Sequence, residues 1–409
     1  MALRRREQDL IWCLAAVAAA AALYLGLLAV LGERLLEHSV YDSYTLAALR
    51  WREGRIALSH NYPWLELAEY EGRYYVSFPP FPTVPMYLLT FLFGENTPSR
   101  LVTFLMFLGV AAVAYAMLRR AGVRLWLSAL LAAALPCGCN MMEYGLFGGV
   151  WNMAQVMGFL LTLLAFYGVQ KGSRLSMGMG LIAIACAVGC RPFQALYVPV
   201  LLWLCWRKLR EERNPLPALG KLGALCAVPA LIAVTYCAYN YVRFGNLFEF
   251  GHNYLPEFTN SEKGQFSFSY VMQNLRNVLR LPNFSEKPPF PTAGGFAFWM
   301  TNLLYVPFTL GWTLTLVKRK WDTAMTLFVL TAAAHFLLLL LHKSFGGVQF
   351  GTRYLCDLLP GLFACLLYIR RERWAPPVWG EYALGGLAGL AIVLNTAGAY
   401  LFQAWLKGI

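Results

Sequence analysis

Acids are scarce in this chain, and that scarcity singles out a few candidates for chemistry. Aspartate occurs only as Asp9, Asp42, Asp322 and Asp357 among 409 residues. Asp42 opens YDSYTLAALRWREGR, where Tyr44, Ala48, Trp51 and Gly54 follow at helical spacing and the pattern ends at Gly54. A carboxylate there can cap the free N–H groups of a helix start. Held at a surface, it is also a suitable general base. The residues alone leave both roles open. Further on comes GRYYVSFPPFPTVPMYLL, whose Pro79-Pro80 pair forces an extended entry to the apolar run behind it. Tyr74, Tyr75, Phe78 and Phe81 suit a lipid or sugar face, or an aromatic belt at a membrane interface. Near the C-terminal end, KSFGGVQFGTRYLCDLLP sets two glycine turns before Arg353-Tyr354. Arginine is a permanent, bidentate donor, so a glycine turn beside it at a membrane surface can cradle a phosphate. The plainer alternative is an arginine snorkelling at a span end. Arg191 and Lys343 are secondary cationic candidates for the same anion.

The elements that must position these groups are apolar. The chain is 59% hydrophobic and 13% charged, with a mean hydropathy of +0.51. Soluble domains carry roughly 25% charged residues. Uncharged stretches of roughly 16–25 residues recur along it, the length of membrane-crossing helices. The composition therefore predicts an all-α polytopic membrane protein, one integrated domain over residues 1–409. The net charge of +13 does not point to nucleic acid, because the basic residues are dispersed among membrane flanks. It fits positive-inside topology and contact with anionic lipids. Cys13, Cys186, Cys205, Cys226, Cys237 and Cys365 fall inside apolar spans, where cysteine acts as a small hydrophobe. Cys137 and Cys139 form a C-x-C pair near a span end, and Cys356 opens another span; spacing alone makes neither a disulfide nor a metal site.

Basic clusters set the orientation. Arg4, Arg5 and Arg6 hold the N-terminus in the cytoplasm, and the long apolar run after them predicts a retained signal-anchor helix. Spans are expected at 10–32, 101–118, 125–139, 151–169, 175–190, 192–206, 222–242, 297–317, 324–341, 354–369 and 381–405. That gives about eleven, with short basic loops inside and the C-terminus outside. Four outer segments remain: 33–100, 140–150, 243–296 and 342–353. Residues 81–93 are apolar but too short to cross, and predict a half-embedded helix on the outer face. Arg191-Pro192 interrupts an apolar stretch and predicts a tight outer turn, since a charge at mid-membrane is costly. VMQNLRNVLRL at 271–281 has an amphipathic period.

In order and spacing, these features resemble the GT-C superfamily of polytopic glycosyltransferases. The similar branch holds the protein O-mannosyltransferases, the aminoarabinose transferases and RgtA-type families. The likeness rests on YDSYTLAALRWREGR after the first span, then YYVSFPPFP, Arg191-Pro192, YNYVRFGNLFEFG at 239–251 and the late GGVQFGTRYLCDLLP. It implies a GT-C-like bundle with juxtamembrane helices on its outer face. It further implies transfer of a sugar from a polyprenyl-phosphate donor to a glycan, lipid or protein acceptor on the extracytoplasmic side of the plasma (inner) membrane. Asp42 matches the family's first-loop catalytic acid, and Arg353 matches the arginine expected near the donor phosphate. Glu143 stands where a second outer loop often carries an acid, for orientation or a metal. Tyr44, Tyr74, Tyr75, Pro79, Pro80 and Tyr354 are then substrate or lipid contacts. The chain departs from the pattern in two places. Ser43, not a second acid, follows Asp42, and Phe78 stands where some branches have a lysine before Pro-Pro.

The chemistry would be a single inverting displacement, with Asp42 as base and Arg353 stabilising the leaving phosphate. No cofactor is required. A divalent cation is left open, although there is no D-x-D and His38, His60, His252 and His342 lack ligand spacing. Two rivals stand beside this expectation, a lipid or sugar transporter (flippase) and a non-catalytic scaffold. A transporter should carry ionisable groups at mid-membrane. Here His335 is the only ionisable residue well inside a span.

Overall fold

A computed structural model describes residues 2–211, 215–283 and 285–408. The side chains of Arg4 and Arg5, part of the basic N-terminal cluster, lie outside the described residues.

Helix α1 (Ala2–Val30) is the first span. The first outer loop then folds into α2 (Ser43–Arg52), a hairpin of β1 (Leu67–Tyr70) and β2 (Arg73–Val76), and α3 (Thr83–Phe93). Next come α4 (Ser99–Arg120), α5 (Leu125–Cys137) and the single turn α6 (Met141–Tyr144) in the second outer loop. The pair α7 (Val150–Lys171) and α8 (Arg174–Val188) leads to α9 (Val198–Arg210) and α10 (Pro215–Phe244). The third outer loop contains α11 (Pro256–Thr259) and α12 (Val271–Leu279), and α13 (Phe298–Thr301) follows it. The bundle is completed by α14 (Tyr305–Val317), α15 (Thr323–Leu341), α16 (Leu359–Tyr368) and α17 (Val378–Lys407).

Each expected span contains a helix, and eight of the eleven are continuous. Among the described residues, α1, α4, α7, α10, α15 and α17 are long and apolar enough to cross a membrane. The other five, α5, α8, α9, α14 and α16, are shorter, from 10 to 15 residues. The expected continuous spans at 192–206 and 354–369 are each split. A 3₁₀ segment, Pro192–Tyr197, precedes α9, and another, Arg353–Leu358, precedes α16. With a rise of about 2 Å per residue in the tighter turn, 192–210 still covers roughly 30 Å, the thickness of a bilayer core. The expected span 297–317 is also interrupted. α13 ends at Asn302, whose backbone N–H and Nδ2 both donate to the Phe298 carbonyl, at 2.9 and 3.1 Å.

The sequence did not lead us to expect the hairpin. Its turn, Glu71-Gly72, has φ of 49° and 71°, the two left-handed residues that join twisted strands. Both faces of the hairpin are covered, with Tyr75 and Ala68 packed on Phe244 and Val76 and Leu67 packed in a second cluster. Phe81 N–H bonds to the Gly189 carbonyl at 2.9 Å, which docks the Pro-Pro segment on the end of α8.

Helices in lipid gain little from apolar burial against each other, so close approach matters. α7 and α8 meet at Gly168 and Gly180. A Cβ on Gly168 would lie 2.3 Å from the Ser176 carbonyl oxygen and 3.0 Å from Gly180 Cα. Replacing Gly168 with leucine is expected to force the pair apart and cost about 1–3 kcal/mol. Thermal unfolding in detergent checks this, with Gly220→Leu as control, because a Cβ there meets nothing within 4 Å.

Candidate active site

The four segments expected on the outer side converge on one end of the bundle. The second and fourth are pinned together by amides. Asn140 Nδ2 donates to the Phe350 carbonyl at 2.9 Å, and Asn302 Nδ2 donates to Asn140 Oδ1 at 2.7 Å. Gly351, at φ 67°, leaves room for this clamp, since a Cβ would sit 2.2 Å from Asn140 Nδ2. The clamp fixes Arg353, two residues later, against α6.

Arg353 begins the 3₁₀ entry to α16. Its N–H donates to Gln349 Oε1 at 2.8 Å, and Nη2 reaches the Gly346 carbonyl at 3.3 Å. Among the described residues no carboxylate pairs with its guanidinium. Two acids nevertheless lie within its field. Glu143, on α6, is buried and accepts from Gln403 Nε2 at 2.8 Å. Burial pushes its carboxyl up to about 7, against the pull of Arg353 and Gln403. Glu66, before β1, accepts from Trp151 Nε1 at 2.8 Å. Its carboxyl is also raised, first by desolvation and then by Glu257, while Trp151 and Arg353 oppose the shift.

Arg191 differs from Arg353 because it has a partner. Asp357 Oδ2 accepts from Arg191 Nε at 2.9 Å and from Nη2 at 2.7 Å. Gln155, on α7, donates to Asp357 Oδ1 at 2.9 Å and to the Arg353 carbonyl at 2.7 Å. Tyr197 OH donates to the Asp357 carbonyl at 2.9 Å. The Tyr354 ring takes both cations, with Arg191 Cζ 4.8 Å and Arg353 Cζ 5.2 Å from its centroid. Lys343 donates through Nζ to the Glu257 carbonyl.

Asp42 caps α2. Oδ1 accepts from the N–H groups of Tyr44 at 3.0 Å and Thr45 at 3.2 Å, and Oδ2 accepts from Thr45 Oγ1 at 2.6 Å. Only 1% of the residue is exposed. Burial raises its carboxyl to about 6, opposed by the Thr45 hydroxyl, by His38 and by the two backbone donors. His38 Nδ1 lies 3.9 Å from Oδ2. The first loop joins the second next to this cap, because Val150 N–H bonds to the Tyr41 carbonyl at 2.9 Å.

The expected contact residues divide. Tyr44 is fully buried, and its hydroxyl has no partner. Tyr75 packs edge-on against Phe244 with centroids 5.4 Å apart, and Pro79 and Pro80 are buried. Tyr74 and Tyr354 are only partly covered. The structure adds groups that sequence reasoning passed over: Glu66, Gln155, Asp357 and two histidines. His252 meets Phe78 edge-on at 5.1 Å, and burial, with help from His342 and Arg191, lowers it to about 3. His342 is lowered to about 4, mainly by burial. Only Asp357 had a usable signal, as a rare acid four residues after Arg353. Among the described residues no group of three or more His, Cys, Asp or Glu is placed to hold a metal ion.

No protein-family model matches the chain, and no curated protein sequence matches it. Solved structures do. ArnT from Cupriavidus metallidurans bound to undecaprenyl phosphate superposes with a TM-score of 0.53 at 16% identity, over 97% of this chain and 77% of that one. The same protein in the apo state gives 0.53 at 13% identity, over 96% and 76%. The archaeal oligosaccharyltransferase AglB from Archaeoglobus fulgidus, in complex with an inhibitory peptide and a dolichol-phosphate, gives 0.51 at 12% identity. There the match covers 96% of this chain but only 56% of that one. At such identities the likeness is one of fold. The chain is a polytopic helical membrane protein that shares its overall fold with ArnT and AglB.

The Arg191–Asp357 pair yields a stability test. Asp357→Asn leaves Arg191 charged and unpaired in a largely covered site, and is expected to cost about 3–5 kcal/mol. Adding Arg191→Gln should recover part of that loss. A thermal-unfolding double-mutant cycle reads the coupling.

Proposed function

We propose that the chain is a membrane glycosyltransferase that uses a polyprenyl-phosphate-linked sugar as donor. The carrying observation is Arg353, a guanidinium with no carboxylate partner among the described residues, with two acids from other loops in its field, the buried Glu143 and the exposed Glu66. An uncompensated guanidinium beside glycine turns suits a phosphate. The fold supports the donor class, since neighbours of this architecture were solved with undecaprenyl phosphate and with dolichol-phosphate.

The reaction is one displacement at the anomeric carbon. The acceptor oxygen forms the new bond as the carbon–oxygen bond to phosphate breaks, and configuration inverts. The bonding electrons leave with the phosphate, whose growing charge Arg353 stabilises. The acceptor's proton passes to a carboxylate, which we assign to Asp42. His38, partly exposed beside Oδ2, marks the side from which a hydroxyl reaches it. Glu143 orients the reacting groups. The donor, the glycan, lipid or protein acceptor and the active site lie on the extracytoplasmic side of the plasma membrane, with the N-terminus cytoplasmic. The basic inner loops support this orientation.

A second assignment of the base has its own observation. Glu66 is exposed, lies in the same loop and shares the field of Arg353, whereas Asp42 is sealed by its cap bonds.

Transfer from a panel of polyprenyl-phosphate sugars tests these assignments. Asp42→Asn is expected to lower the rate by about 10²–10⁴, and Arg353→Gln by about 10²–10³. A base must be ionised. With Asp42 titrating at about 6, kcat/KM should fall as pH drops through 6, and this limb should vanish in Asp42→Asn. Full activity in Asp42→Asn with loss in Glu66→Gln moves the base to Glu66. Donor movement across vesicles without any transfer by the wild type favours a transporter.

A further inference from the structure

The opposite end of the bundle carries a second concentration of positive charge. α7 starts beside Tyr41 and ends at Lys171, so its 22 residues place this end about 33 Å from the outer loops. Several cations here are matched by acids. Arg119 pairs with Asp9 at 2.6 Å, and Arg124 and Arg370 share Glu381 at 3.0 and 2.7 Å. Arg373 pairs with Asp322.

One crevice is different. It opens between the ends of α4, α7, α9 and α16, rimmed by Arg207, Lys208, Arg371 and Glu372. Arg120 adds to the same field. Among the described residues, Glu372 is the only carboxylate lining it, and it stands 3.4 Å from Arg207 and 3.7 Å from Arg371. The surplus cations turn to backbone oxygens. Lys208 Nζ and Arg371 Nη1 converge on one carbonyl, that of Gln170, at 3.2 and 3.4 Å. Arg120 Nη2 reaches the Lys171 carbonyl at 3.3 Å. Arg207 Nε is buried with no partner. Beneath the rim, the crevice is lined by Phe166, Leu204, Phe328 and Leu367.

We propose that this crevice binds the head group of an anionic phospholipid. Its phosphodiester would sit among Arg207, Lys208 and Arg371 and satisfy the unmatched donors. The glycerol end and first methylenes would enter the apolar interior. That two-part lining is why an amphiphile fits better than a free anion, which would use the rim and leave the interior empty. The site is separate from the donor phosphate at Arg353 and does not depend on it.

The test uses the full chain in nonionic detergent. Thermal unfolding is followed against phosphatidylglycerol, phosphatidylcholine and inorganic phosphate. Phosphatidylglycerol alone is expected to raise the midpoint. Arg207→Gln with Arg371→Gln should weaken that response by about tenfold or more in apparent affinity. Arg207→Lys with Arg371→Lys should keep most of it, and the matched-cation control Arg124→Gln should keep all of it. If the glutamine pair does not fold, native mass spectrometry of the wild type takes its place. Retained phosphatidylglycerol in preference to phosphatidylcholine then supports the site. Equal responses to the two lipids, a full response from inorganic phosphate, or an unchanged response in a folded glutamine pair would each overturn it.

Discussion

The end of this bundle that carries the candidate site depends on how Asp357 is neutralised. Its two oxygens are shared between Arg191 and Gln155, and those residues come from the break before α9 and from α7. The same Gln155 amide holds the main chain of Arg353. One buried carboxylate therefore sets the relative position of three segments that are far apart in sequence. It also makes the two nearby arginines unlike each other. Arg191 is committed to an internal partner, and Arg353 is left with its charge unspent. A buried ion pair adds little net stability against apolar packing. Its value here lies in deciding which guanidinium stays available.

Much of the architecture was legible. Spans follow from uncharged runs and from where lysine and arginine cluster, because both report the cost of charge in lipid. The surface helix ending at Gly54 followed from periodicity, and Gly54 adopts φ 69°. What stayed hidden was of two kinds. The hairpin is made of four-residue strands inside an aromatic stretch, where two competing patterns overlap, and Glu71-Gly72 was its only mark. The breaks at 192–197 and 353–358 replace one helical hydrogen-bond pattern by another without changing hydrophobicity. Pro192 hinted at the first, and Pro360, at the start of α16, was the only mark of the second.

The site was legible in types more than in partners. Arg353 could be chosen from the glycine turns before it, and Glu143 from the family resemblance. Asp42 could be chosen too, and its capping geometry was one of its two readings. The Arg191–Asp357 bond joins residues 166 apart, and Glu66 meets Trp151 across 85. Neither separation has a local signature. Long-range polar bonds are settled by helix packing, so they emerge only once the bundle is assembled.

The two 3₁₀ segments share a design. In each an arginine, Arg191 or Arg353, stands at the start of six residues of tight turn, and a proline follows at the second position of the next helix, Pro199 or Pro360. A 3₁₀ turn advances about 120° per residue and an α-helix about 100°. Six residues of the tighter winding thus shift the angular phase of what precedes them by about 120°. Each arginine is wound away from the face that a continuous helix would give it, and both swing onto one aromatic ring, Tyr354. The breaks act as angular gears. They set where a charge points without changing where its helix stands.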